Sequence, residues 1–408
     1  MNINVGIISA PSLTFCLQGA YQMSDWQGDG QQEVACQDGK ILWQGKFYDE
    51  LFFSPQSSQC TFSLHHVTIG IRFHWEREET QTFSGALHII LHEGILYAIN
   101  HLPVEDYLTS VISSEMKATC SLEFLKASAV ISRSWLYAQM AHQPSPRPEP
   151  SAAPTAENSI IRWYDHQSHT LFDVCADDHC QRYQGLTRIL SHTAIEAVEQ
   201  TRGQILTYQG EVCDARFSKC CGGQTNEYRF CWQDREVAYL RSIKDPFCQM
   251  ADGGILHRIL NDYDLETRHF YQWTVELEQE KIKVLISRFV PEGMGDILDL
   301  IPLEKGPGGH ISLLRIVGSN RTIDVGRELE IRRWLSPTHL QSSAFQVSKK
   351  MGDGGIPSAF MLIGKGWGHG VGMCQIGAAV MGEQGYNYRQ ILEHYFPGAE
   401  LNSVDCIK

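Results

Sequence analysis

Glu115 closes one apolar run and is followed by a second that carries two cations. Lys126 and Arg133 lie seven residues apart, so a helix through them presents both on one face. A carboxylate facing two cations is the makings of a polar site. The same pattern also describes a solvated helical hairpin with ordinary ion pairs. A second group is His169, Cys175, His179 and Cys180, four soft donors within twelve residues. They can supply a tetrahedral Zn²⁺ site. Protein would fill all four positions and leave none open, so such an ion would be structural. His166 is a substitute donor. A Cys175–Cys180 disulfide with bystander histidines is the alternative.

Two glycine-bearing segments lie downstream. In the run from Phe217 to Glu227, Gly222-Gly223 makes a tight turn that could bring Gln224 and Thr225 to a ligand. The vicinal Cys220 and Cys221 suit a strained disulfide, a free pair or a buried pair, and no base partner for a nucleophilic thiol is identifiable from sequence. The second segment has glycines at 364, 366, 368, 370 and 372 and continues to Gln375. This spacing is neither a dinucleotide fingerprint nor a Walker loop. A backbone so free of Cβ atoms suits the approach of a bulky ligand, in which case Trp367 and His369 offer an aromatic face and a hydrogen-bonding group for a sugar. It suits a tight crossing of buried segments equally well.

The elements around these residues predict a mixed α+β fold. Residues 1–100 are β-rich, with alternating runs such as Ile3, Val5 and Ile7, Val67–Phe73, and Leu87–Ile90 separated by turn residues. From Val104 the period becomes helical, with Pro103 placed to start the helix. A second helix is expected over Leu122–Met140 with Ser121 as its N-cap. Together these form a helical hairpin. Residues 101–270 are read as the core region, interrupted by a proline-rich loop at 143–159 that holds five of the 15 prolines. Residues 271–350 read mostly as strands and form a β-rich insertion, and 351–408 return through the glycine-rich loop to two C-terminal helices.

The chain has 408 residues, 43% hydrophobic, with a formal net charge of -13. That is enough for one large core or two to three domains. An acidic chain is a poor non-specific binder of nucleic acid or anionic membrane. No stretch approaches the roughly 18 apolar residues of a membrane span. Met1–Ala10 reads as a strand and not as a secretory leader. The 13 cysteines cannot all pair within one chain.

Taken together, the motifs resemble the stage II sporulation protein D (SpoIID/LytB) family. Leu102, Pro103, Glu105, Tyr107 and Leu108, then Glu115-Met116 and the helix through Lys126 and Arg133, match its helical motif. Residues 217–227 match its GG-T-E segment, and 366–398 match its glycine-rich ending. Departures are Lys117 for the proline after the Glu-Met pair, Ser134-Trp135 for Thr-Tyr, and Cys221 and Cys374 where serine is common.

This resemblance implies a peptidoglycan lytic transglycosylase acting on glycan strands without stem peptides, or an enhancer of a cell-wall amidase. It implies that Glu115 is the catalytic acid/base, that Lys126 and Arg133 line the cleft, and that the His/Cys cluster is a zinc site. Gln224, Thr225, Trp367, His369 and Gln375, in the two glycine-bearing segments, are expected to bind substrate. A transglycosylase needs one carboxylate: it protonates the glycosidic oxygen, then takes the proton of the sugar's own C6 hydroxyl. A binding module would keep the glycine-rich segment without depending on Glu115. A zinc hydrolase would need an open metal position, which four protein ligands deny. The resemblance implies an extracytoplasmic location, against the missing leader.

Overall fold

The computed structural model describes residues 1–71, 76–117, 119–141, 158–163, 169–189, 191–265 and 269–406. The proline-rich loop expected at 143–159 falls outside them except for its last two residues, and so does His166. The architecture is mixed α+β, with a β-rich N-terminal part. It divides into two compact units: Met1–Ser132 with Ser168–Arg202, and Arg133–Gln167 with Gly203–Lys408.

The first unit is built on a largely antiparallel sheet. Its first strand, Asn2–Ala10, pairs with Ile95–Pro103, from Asn2 opposite Pro103 to Ala10 opposite Leu96. The expected alternation of Ile3, Val5 and Ile7 holds only for the first two, which are buried. A bulge between Gly6 and Ile8 then shifts the phase. On the far edge of Asn2–Ala10 the short strand Val174–Cys175 pairs in parallel, Val5 opposite Val174 and Gly6 opposite Cys175. Trp26, Trp43 and Phe53 meet edge to face at centroid distances of 5.1–5.9 Å and anchor the sheet's core.

Helix α1 (Val104–Glu115) starts after Pro103 with Glu105 and Asp106 in its first turn, where the helix dipole favours acids. It is buried from Tyr107 to Ser114, so it has no solvent face for most of its length. Helix α2 (Leu122–Ala141) begins at Ser121, whose Oγ accepts from Phe124 N at 3.3 Å, as an N-cap requires. The boundary between the two units falls inside α2, after Ser132. Helix α3 (His192–Gln200) packs on α1.

Among the described residues the second unit holds four small sheets. One core spans residues 273–362 and gathers Trp273, Leu277, Ile282, Ile286, Trp334 and Phe360. Residues 271–350, read mostly as strands, carry the strands Gln272–Glu278, Ile297–Lys305, Ile311–Gly318, Thr322–Gly326 and Phe345–Met351, with helices at Gln279–Ser287 and Glu328–Trp334 between them. In the first of these helices, Ile282, Leu285 and Ile286 are buried at helical spacing, and only a helix puts all three on one face. Helices also cover Gln375–Glu383 and Tyr388–Tyr395, the latter opened by a full capping box at Asn387.

Candidate functional site

Glu115 is the last residue of α1 and is half-buried. Its Oε1 accepts a hydrogen bond from the backbone N–H of Arg182 at 3.1 Å. That donor comes two residues after Cys180, so the loop carrying the Cys/His cluster also holds the carboxylate. The loop is itself pinned to the first strand. Asp173 Oδ2 accepts from Asn4 N at 2.8 Å, and Ala176 N donates to Gly6 O at 3.0 Å. Gly6 makes room for it, since a Cβ there would stand 2.5 Å from the Phe172 ring. The Arg182 guanidinium is tied to Asp178 through Nε at 2.9 Å and Nη2 at 2.8 Å. Tyr107 of α1 stacks on Tyr183 with ring centroids 5.2 Å apart, and its hydroxyl donates to Gln181 Oε1 at 3.3 Å. Residues 181–183 are therefore fixed from both sides. This is the contact that sequence reasoning missed: a backbone donor 67 residues away leaves no signature in side-chain types.

The four cluster residues converge. One donor atom from each of His169, Cys175, His179 and Cys180 lies within 4.8 Å of all the others. His169 Nε2 is 3.3 Å from Cys180 Sγ, and His179 Nδ1 is 3.7 Å from it. A tetrahedral zinc with ordinary bond lengths would place such N and S atoms about 3.6 Å apart. Hydrogen bonds from Cys180, then from His169 and His179, pull the Cys175 thiol well below its ordinary range despite burial. That favours the thiolate, the metal-binding form. Both cysteines are free thiols.

On α2, Lys126 forms an ion pair with Glu123 at 2.7 Å. Arg133 is fully buried, and its Nη1 donates to Gln204 O at 3.0 Å. This places the Arg133 side chain inside the fold and not on an open surface.

In the second unit the glycine-rich segment crosses the segment carrying Cys220 and Cys221. Cys220 and Trp367 exchange backbone hydrogen bonds of 3.1 and 2.7 Å, and Asn226 N donates to Gly370 O at 2.7 Å. Strand Phe217–Ser218 pairs in parallel with Met373–Cys374. The glycines serve this crossing. A Cβ on Gly370, which has φ +73°, would meet the buried His310 ring at 2.4 Å, and one on Gly372 would meet Arg216 O at 2.0 Å. Of the two sequence readings, close approach by ligand and tight crossing, the crossing is realised. Gly370→Val should accordingly lower stability by about 2–5 kcal/mol through the left-handed backbone and the ring clash. Chemical denaturation checks this, and an unchanged midpoint would mean that the crossing opens easily.

Trp367 and His369 are half-buried, not fully exposed as the sequence suggests. Trp367 lies against Phe270 with centroids 5.2 Å apart. His369 meets the edge of Trp232 at 4.6 Å, and Arg216 sits over the same indole at 4.4 Å. Burial, then Arg216 and Arg332, holds the His369 imidazole well below its usual range. It is a neutral hydrogen-bonding group near pH 7, with Nδ1 accepting from Val371 N at 3.0 Å. Gln224 is half-buried, and its amide donates to Ser242 Oγ at 3.0 Å. Thr225 and Gln375 are buried. The Thr225 hydroxyl accepts from Ile243 N at 2.8 Å, and Gln375 opens its helix. Both side chains lie inside the fold and not on an open surface. Cys220 and Cys221 form the buried pair among the three sequence options, both as free thiols.

An α+β body with a glutamate at the end of a buried helix, held by a Cys/His loop, is the arrangement to compare with known proteins. Residues 92–208 match a family model described as Stage II sporulation protein, and residues 224–372 match one described as a domain of unknown function. The chain is 26% identical over 309 residues to Stage II sporulation protein D of Bacillus amyloliquefaciens, covering 76% of this chain and 77% of that one. It is 25% identical over 309 residues to the protein of the same name from Bacillus subtilis, with coverage of 76% and 77%. It is also 25% identical over 331 residues to Amidase enhancer of Bacillus subtilis, covering 72% of this chain and 40% of that protein. The class is that of α+β proteins with a cell-wall role. Residues 92–208 carry the match to the stage II sporulation protein family, and the chain is similar to SpoIID/LytB proteins.

Proposed function

We propose that this protein is a lytic transglycosylase that cuts the glycan strands of peptidoglycan, with Glu115 as its single proton-transfer group. The supporting observation is the setting of Glu115: a half-buried carboxylate at a helix end, oriented by the Arg182 N–H. The protonated carboxyl gives its proton to the glycosidic oxygen as the C1–O bond breaks and positive charge develops at C1. The resulting carboxylate then takes the proton of the same sugar's C6 hydroxyl, and O6 closes on C1. The products are a 1,6-anhydro end and a new 4-hydroxyl end, with no water consumed. This differs from hydrolases that use two carboxylates. Strands without stem peptides are the substrate that the family likeness favours.

His169, Cys175, His179 and Cys180 would hold one structural zinc, which supplies a fixed crosslink and no open position for chemistry. Lys126 in the first unit, and Trp367, His369 and Gln224 in the second, remain as candidate sugar contacts, because each is half-buried and not fully enclosed. Among the described residues no helix is long and apolar enough to cross a membrane. The place of action in this reading is extracytoplasmic, where intact peptidoglycan lies.

A second reading draws on the likeness to Amidase enhancer. Here the chain binds glycan and stimulates a cell-wall amidase without cutting. Incubating the purified protein with denuded glycan, and separately with intact peptidoglycan plus an amidase, separates the two. Soluble sugars released from denuded glycan support the enzyme. Faster peptide release with no cut in the glycan supports the enhancer.

A further inference from the structure

The second unit contains another convergence of metal-binding side chains, made by residues far apart in sequence. Sγ of Cys221, a carboxylate oxygen of Asp245, Sγ of Cys248 and Sγ of Cys374 all lie within 4.8 Å of one another, and all four residues are buried. From this geometry we infer a second metal site, a closed Cys₃Asp site for one tetrahedral Zn²⁺, independent of the proposed catalytic role.

The distances favour a single ion. Zinc–sulfur bonds of about 2.3 Å in a tetrahedron put two sulfurs about 3.8 Å apart and a sulfur and a carboxylate oxygen about 3.5 Å apart. Cys221 Sγ and Cys248 Sγ are 3.8 Å apart, and Cys221 Sγ is 3.2 Å from Asp245 Oδ2. A disulfide would need about 2.05 Å. A polynuclear iron–sulfur cluster would hold its cysteine sulfurs farther apart than one ion does. Three soft sulfurs with one carboxylate select zinc over calcium or magnesium, which take oxygen ligands.

The surroundings hold the four donor atoms in place. Cys374 is the N-cap of helix Gln375–Glu383, and its sulfur accepts from Gly377 N at 3.4 Å and Cys221 N at 3.3 Å. These two backbone donors fix the direction of the sulfur. Asp245 is fully buried. Its Oδ1 accepts from Phe247 N at 2.9 Å, and its Oδ2 from the Tyr395 hydroxyl at 3.1 Å. The Tyr395 and Phe247 donors orient the carboxylate as outer-sphere partners of a metal ligand do. Gly377 permits the approach, since a Cβ there would stand 2.4 Å from both Asp245 Oδ2 and the Tyr395 hydroxyl. The ion would tie the Gly222-Gly223 turn, the loop carrying Asp245 and Cys248, and the end of the glycine-rich segment into one clamp.

The test is ¹¹³Cd NMR of the whole protein prepared with ¹¹³Cd²⁺ in place of zinc, alongside elemental analysis of the zinc form. The Cys₃Asp site should give a resonance downfield of any Cys₂His₂ resonance, because each added sulfur shifts cadmium downfield. Cys374→Ser keeps a hydroxyl at the N-cap and so retains the helix start. It should abolish that resonance or move it upfield, with loss of about one metal equivalent per chain. Cys406→Ser, at an exposed thiol, should change nothing. The downfield resonance stands even if the His/Cys cluster binds no metal, so the two zinc proposals fail separately. Absence of the downfield resonance overturns the inference, as does a Cys221–Cys248 disulfide found by non-reducing peptide mapping of freshly purified protein.

Discussion

Glu115→Gln should slow release of anhydro-ended sugars from denuded glycan by about 10²–10⁴-fold, toward the upper end of that range. One group serves both proton transfers in the proposed cycle, so its loss removes the acid and the base together. The amide retains the shape of the side chain, and its oxygen can still accept from Arg182 N, which meets Oε1 at 3.1 Å in the parent. Glycan binding and the unfolding midpoint should therefore stay near the parent values. Turnover and binding measured on the same preparation give the check. An unchanged rate would remove Glu115 from the mechanism. A rate lost together with binding would assign it to substrate recognition.

The second large effect is expected from Cys180→Ser. Cys180 Sγ lies 3.3 Å from His169 Nε2 and 3.7 Å from His179 Nδ1, and Arg182, the donor to Glu115, follows two residues later. A serine hydroxyl is a poor zinc ligand beside thiolate and imidazole. The variant should lose about one zinc per chain and melt earlier than the parent, because binding energy of a structural zinc is folding energy. Turnover should fall on the order of 10²-fold for a displacement of about 1 Å at the carboxylate. Zinc content, melting and turnover distinguish this variant from Glu115→Gln, which should lose only turnover. Full activity with no zinc bound would separate the cluster from the catalytic site.

The parts of this molecule that were legible in the sequence are those set by local periodicity. Pro103 and the spacing of Leu108, Val111 and Ile112 mark α1, and Ser121 marks the start of α2, where its Oγ caps Phe124 N. The His169–Cys180 cluster was legible because its donors crowd into one short stretch and need only one loop to meet. Non-local contacts were not legible. Arg133 looks like a surface cation by type, yet its partner is a carbonyl 71 residues away. Thr225 looks like a ligand contact beside a glycine turn, yet Ile243 N uses its oxygen. The alternating glycines gave no sign of whether a ligand or a chain crosses them, since both demand absent Cβ atoms. His310, which decides it, lies 60 residues earlier. Asp245 and Cys248 have no metal-binding spacing with Cys221 or Cys374, so only the fold brings the four together.

The central claim is that the glycosidic bond is broken without water, and oxygen labelling reads this directly. Denuded glycan is digested by the parent protein in H₂¹⁸O and the new chain ends are weighed by mass spectrometry. The proposed chemistry predicts 1,6-anhydro ends that carry no ¹⁸O, because O6 of the sugar itself closes on C1. New reducing ends that each carry one ¹⁸O would show hydrolysis and contradict the claim. Intact strands, with stimulation of an added amidase, would contradict it in favour of the enhancer.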